Sequence, residues 1–91
     1  MRAKTWNIEI YLFEQEGRTR ADAVLRTDAG TEVTHSGTAR CSPADNDVPE
    51  IGDELAVCRA LTGLAHDLFE ATVLDVERND PNAQAPVLRI D

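Results

Sequence analysis

The sequence predicts an α+β fold, with three antiparallel strands in a meander followed by one long helix. Three observations lead there. Apolar residues alternate at period two through much of residues 5–41, as a half-buried strand requires. Two polar breaks containing glycine divide that stretch into three. After a crossing segment with a proline, apolar residues recur at three- and four-residue spacing to about residue 78, the period of an amphipathic helix.

In the first strand Trp6, Ile8, Ile10 and Leu12 alternate with Thr5, Asn7, Glu9, Tyr11 and Phe13, so the even positions are expected to face the core. Glu14-Gln15-Glu16-Gly17 follows as a hairpin connection, with glycine able to take positive φ. The second strand, about 18–27, sets Thr19, Ala21, Ala23 and Leu25 against Arg18, Arg20, Asp22, Val24 and Arg26. Asp28-Ala29-Gly30 is the next turn signal. The third strand, about 32–41, sets Val33, His35, Gly37, Ala39 and Cys41 against Thr34, Ser36, Thr38 and Arg40. The inward positions Ala21, Ala23, Gly37 and Ala39 are small, which leaves room for a helix to lie close.

Ser42 to Val48 reads as a polar crossing loop, and Pro49 suits a first helical turn. A helix is predicted over 49–78, starting at Pro49 or Asp53, with Glu50, Asp53 and Glu54 placed where its dipole favours anions. Its expected core stripe is Ile51, Leu55, Cys58, Leu61, Ala65, Leu68, Phe69, Thr72 and Val76. Val57, Ala60, Leu64, Ala71 and Val73 are apolar outside that stripe. Thr62-Gly63 is an expected weak point, since glycine costs about 1 kcal/mol relative to alanine in a helix. Asn79-Asp80-Pro81-Asn82 ends the helix, and the tail 79–91 closes with Pro86-Val87-Leu88-Arg89-Ile90, a short edge strand or an arm toward a partner subunit. The whole of 1–91 is then one domain, with strands over 1–41. One meander and one helix leave a sheet face open, so a homodimer is expected.

Nine Lys/Arg against seventeen Asp/Glu give a net charge of −8. That balance opposes a general polyanion binder. The charge is uneven, however. Residues 1–40 carry six basic and six acidic side chains, whereas 41–91 carry three basic and eleven acidic. A nucleic-acid surface therefore belongs to the sheet. No apolar run approaches the roughly 20 residues of a membrane span, and Met1 to Trp6 lacks the apolar core of a signal peptide, so a cytoplasmic protein without membrane contact is expected.

Catalysis has little support. His35 is an inward residue of the third strand, expected in the core or an interface; His66 is expected on the exposed side of the helix. Ser36 lies on the opposite strand face from His35. There is no nucleophile elbow, HExxH, P-loop or dinucleotide fingerprint, so neither enzyme activity nor a cofactor is expected. Cys41 and Cys58 lack the spacing of a zinc site and are expected as buried reduced thiols; a disulfide requires Cys41 at the strand end to meet Cys58 on the helix. The acids Asp45/Asp47 and Asp53/Glu54 lack a calcium-loop pattern, so no metal site is assigned. What remains is the outward sheet face, where Arg18, Arg20, Arg26 and Arg40 stand with Tyr11 and Phe13. Arginines and aromatics on a sheet can hold phosphates and stack bases.

Four stretches stand out: Thr5-Trp6-Asn7-Ile8-Glu9-Ile10, Glu16-Gly17-Arg18-Thr19-Arg20-Ala21-Asp22-Ala23, Gly37-Thr38-Ala39-Arg40 and, above all, Asn46-Asp47-Val48-Pro49-Glu50-Ile51-Gly52-Asp53-Glu54-Leu55-Ala56-Val57 with Arg59-Ala60-Leu61. In these the chain resembles a family of small actinobacterial proteins with a double-stranded-RNA-binding-domain-like fold. The resemblance runs from about Trp6 to Leu68. It implies a non-enzymatic role linked to stress or dormancy, in dimers likened to ribosome hibernation factors. Ribosomal RNA would then be the partner, with contacts from Arg18, Arg20, Arg26, Arg40 and Tyr11. Where such RNA-binding domains carry lysines at a helix start, this chain has Glu50, Asp53 and Glu54. The competing expectation is a dimeric interaction module that binds a basic protein partner through Asp67, Glu70 and Glu77 of the acidic helix.

Overall fold

A computed structural model describes residues 1–40 and 49–79. The crossing loop, Cys41, the Asp45/Asp47 pair and the tail beyond Asn79 lie outside the described residues. Strands β1 (Asn7–Gln15), β2 (Arg18–Arg26) and β3 (Glu32–Arg40) form one antiparallel sheet in the order β1-β2-β3, and helix α1 spans Pro49–Asn79. The expected α+β meander with one long helix is what the chain forms.

The turns follow from local chemistry. Gln15 and Arg18 are cross-strand partners, so Glu16 and Gly17 alone make the first turn, with φ of 51° and 74°. Two positive values in a two-residue hairpin are the type I′ geometry that matches strand twist. At the second turn Gly30, with φ 82°, donates its N–H to the Thr27 carbonyl at 3.2 Å. Trp6 donates its indole N–H to Asp28 at 2.9 Å, tying the entry of β1 to that turn.

The register puts Ile8, Leu25 and Val33 in one row of the inner face, followed by Ile10, Ala23 and His35, then Leu12, Ala21 and Gly37. The core lies under β2 and β3 only: Ala21, Ala23, Leu25 and Ala39 meet Ala56, Ala60 and Leu64 of α1, with Val33, Val57 and Leu68 at the margin. Contact is very close. A Cβ on Gly37 would come within 2.5 Å of the Ala56 carbonyl oxygen.

Two expectations are corrected here. The helix does not bury its large apolar stripe. Ile51, Leu55 and Leu61 are 62%, 40% and 37% exposed, Cys58 and Ala65 are exposed too, and the core is built from Ala56, Ala60 and Leu64 instead. The reason is steric. A sheet face of alanine and glycine lets the helix backbone approach, and only a small-residue stripe permits that approach from the other side. Nor does β1 face a core. Trp6, Ile8, Ile10 and Leu12 are between 37% and 50% exposed. A helix about 10 Å across covers roughly two strands at 4.8 Å spacing, and α1 has taken the two with small side chains.

Helix α1 runs unbroken through Gly63. A Cβ there would collide with the His35 imidazole, so the glycine makes room for that ring. The 31-residue helix is about 46 Å long against about 30 Å for nine-residue strands, and beyond Leu68 none of its described residues is fully buried. No described helix is long and apolar enough to cross a membrane.

Candidate functional site

The outer sheet face is built row by row from the register. Its first row is Gln15, Arg18 and Arg40; then come Phe13, Arg20 and Thr38; Tyr11, Asp22 and Ser36; Glu9, Val24 and Thr34; and Asn7, Arg26 and Glu32. Helix α1 packs on the other face, so no described element covers this one.

The four candidate arginines differ in circumstance. Arg26 is enclosed by acids, 2.7 Å from Glu9 and 3.4 Å from Glu32. Tyr11 donates its hydroxyl proton to Glu9, and with Arg26 this holds the Glu9 carboxyl below the usual carboxylate range. The same hydroxyl and Glu9 raise Arg26 above its ordinary value. Arg20 sits 3.3 Å from Asp22, which also accepts a 2.6 Å bond from the Ser36 hydroxyl, and its guanidinium lies 4.7 Å from the Phe13 ring centre. Arg18 and Arg40 are exposed cross-strand partners, and no acid among the described residues pairs with either. Like charges directly opposite one another destabilise a strand pair.

A further cation joins them. Arg59, on the β3 flank of α1, reaches the Thr38 carbonyl at 2.7 Å, one row from Arg40. Its position among acidic helix residues gave no sign of this, and only the packing of α1 against β3 brings it there. The outer face therefore has two ends: Arg18, Arg40 and Arg20 at one, with Arg59 at the adjoining β3 edge, and the acid-bracketed Arg26 at the other.

The helix-side candidates are partly engaged. Asp67 holds His35 Nδ1 at 2.7 Å, a half-buried pair linking α1 to β3. Glu70 lies 3.5 Å from exposed His66 one turn away, and Glu77 is exposed. Cys58 carries an exposed free thiol, which corrects the expectation that it is buried. It lines a shallow apolar groove with Val57, Leu61 and Thr62, and Asp53 and Glu54 stand beside it. Among the described residues no three His, Cys, Asp or Glu side chains gather as a metal site would need.

Comparison with known proteins places this geometry among relatives. The Rv2632c-like family model matches residues 4–85. The uncharacterised protein Rv2632c of Mycobacterium tuberculosis is 47% identical over 74 residues, 81% of this chain and 78% of the relative. The uncharacterised protein Mb1767 of Mycobacterium bovis is 46% identical over 72 residues, 79% and 76% of the two chains. The crystal structure of Rv2632c superposes with a TM-score of 0.81 at 42% identity, covering 91% of this chain and 98% of that one.

Proposed function

We propose a binding role, not a catalytic one, for this chain, which belongs to the Rv2632c-like family. The reading is that of a stress- or dormancy-linked regulator, a homodimer that associates with the ribosome as hibernation factors do. Its RNA contact is the basic end of the outer sheet face. The observation that carries this reading is the facing pair Arg18–Arg40 on an uncovered sheet. Most of the protein's excess acid is displaced from it, onto a helix with seven Asp/Glu and two Arg.

Apolar exposure supports the dimer. Ile8, Ile10 and Leu12 on the helix side of β1, and Ile51, Leu55 and Leu61 on the outward side of α1, are large side chains left in water. A subunit contact on the β1 stripe or the helix would leave the arginine face free for RNA.

Co-sedimentation with ribosomes across a salt series tests the reading. The expected result is association at low salt that fades as salt rises, because phosphate contacts release counterions. The Arg18→Glu/Arg40→Glu double variant should pellet poorly at every salt concentration. Absence of association at low salt, or a double variant that pellets like wild type, overturns it.

A second reading has its own support. Exposed Glu70 and Glu77 lie on the same helix as the exposed Ile51, Leu55 and Leu61, and an acidic helix with an apolar outward side is a surface suited to a basic amphipathic protein segment. It requires that a partner be lost when Glu70 and Glu77 are neutralised while Arg18→Glu/Arg40→Glu leaves it bound.

A further inference from the structure

The basic end of the outer face discriminates among nucleic acids by its shape and chemistry. We propose that it binds single-stranded RNA, with phosphates on Arg18, Arg40 and Arg59 and an unstacked base against Phe13. The inference rests on the reading above, that RNA is the partner of this face, and names the kind of RNA.

Charge complementarity comes first. Arg18 and Arg40 leave adjacent strands side by side with no acid of the described residues to separate them, and Arg59 adds a third cation at the β3 edge. A phosphate seated between the two facing guanidiniums would replace their repulsion with two charge-assisted contacts.

The aromatic residue comes second. Phe13 lies one row from the arginine pair and is half exposed. Arg20 rests on its ring and is itself held by Asp22, so the phenyl is steadied from one side. Beyond Arg20 the surface is low, since Thr38 and Ser36 occupy β3 in this and the next row. A base can lie against a π face only if it has left its own stack, so an exposed aromatic at the β1 side of the patch favours a single strand.

Extent is the third consideration. Recognition of double-stranded RNA depends on contacts spread over about 16 base pairs and two minor grooves. Here the cationic zone covers two of the five rows. Toward the other end Glu9 and Glu32 meet the chain with carboxylates. A duplex laid along the sheet would carry phosphates over those acids, whereas a strand of a few nucleotides can stay on the basic end.

Fluorescence anisotropy of the intact protein tests this, with a short labelled oligouridylate and an RNA duplex of equal length measured over a salt series. The single strand should bind at least about tenfold more tightly than the duplex. Arg18→Ala/Arg40→Ala should lower the single-strand salt slope by about 1.4, the value for two lost phosphate contacts. Phe13→Leu, which keeps apolar bulk, should weaken the single strand about fivefold or more and leave the salt slope unchanged. Arg78→Gln removes one positive charge from the far end of α1 and should bind as wild type does. Circular dichroism melts establish that each variant is folded. Equal or better binding of the duplex, no measurable oligouridylate binding, or wild-type affinity in Phe13→Leu overturns the proposal. Ribosome sedimentation separates the two failures. Association lost in Arg18→Glu/Arg40→Glu with duplex preferred keeps the reading and removes this inference. Oligouridylate binding without ribosome association does the reverse.

Discussion

At Gly37 the backbone of α1 approaches β3 so closely that a single methyl group has no place to go. The obstacles are the Ala56 carbonyl and the Ala60 amide, which belong to a hydrogen-bonded helix and cannot swing aside like a side-chain tip. Gly37→Ala should therefore lower stability by about 1–3 kcal/mol, the range for overpacking a tight core, measured by urea unfolding. An unchanged midpoint would mean that the helix rides higher than described. Tyr11 acts electrostatically. Its hydrogen bond is the first cause of the depressed Glu9 pKa, followed by the hydrogen bond and the charge of Arg26. A carboxylate whose folded pKa is depressed contributes stability that is present above its unfolded pKa and lost as pH falls through the folded value. Tyr11→Phe should move the Glu9 titration, followed by carboxyl NMR, up toward the ordinary glutamate range. A Glu9 that titrates identically in both proteins would remove the hydroxyl from the account.

The helix is held at one flank by an arrangement of three residues. Gly63 leaves the space that the His35 ring fills, and Asp67, one turn on, fixes that ring at 2.7 Å. Two opposing effects meet at Gly63, because alanine is the better helix former by about 1 kcal/mol but would strike the imidazole. A double-mutant cycle separates them. In the His35→Ala background Gly63→Ala should stabilise by up to about 1 kcal/mol, whereas in the wild-type background the gain should vanish or reverse. Equal gains in both backgrounds would show that ring and glycine do not compete. Across the sheet, β1 is the element with least support, an edge strand whose nine residues are all exposed. Its hairpin turn and the Trp6–Asp28 bond hold it in register, while its apolar row is left half exposed beside β2.

For the molecule as a whole, the surfaces are segregated. Arg18, Arg20 and Arg40 occupy one end of the outer sheet face; large apolar side chains line β1 on the helix side and the outward side of α1; acids are concentrated on the helix. The proposed homodimer should show in sedimentation equilibrium as twice the 10.0 kDa chain mass. Ile10→Glu places a charge in the middle of the exposed β1 stripe and should shift the equilibrium to monomer with the melting profile of the fold retained. A monomeric wild type at high protein concentration would remove the dimer, and a fully dimeric Ile10→Glu would move the contact to α1.

Strand alternation, the two turns, the proline start and the long helical period were all legible in the chain, because each depends on neighbours a few residues apart. So was the small-residue floor of Ala21, Ala23, Gly37 and Ala39. The stripe that α1 buries was not, since the larger apolar residues point to Ile51, Leu55 and Leu61 whereas close packing selects Ala56, Ala60 and Leu64. Which arginines stand open was also illegible. Arg18, Arg20, Arg26 and Arg40 look alike along the strands, yet register sets Arg26 opposite Glu32 and diagonal to Glu9, and Arg18 against Arg40. Arg59 joined the same patch only because α1 crosses beside β3. Local periodicity is enough to specify elements and their order. Which side of the helix is buried, and which charges are left without a counter-charge, depends on distances across the sheet that no window of sequence contains.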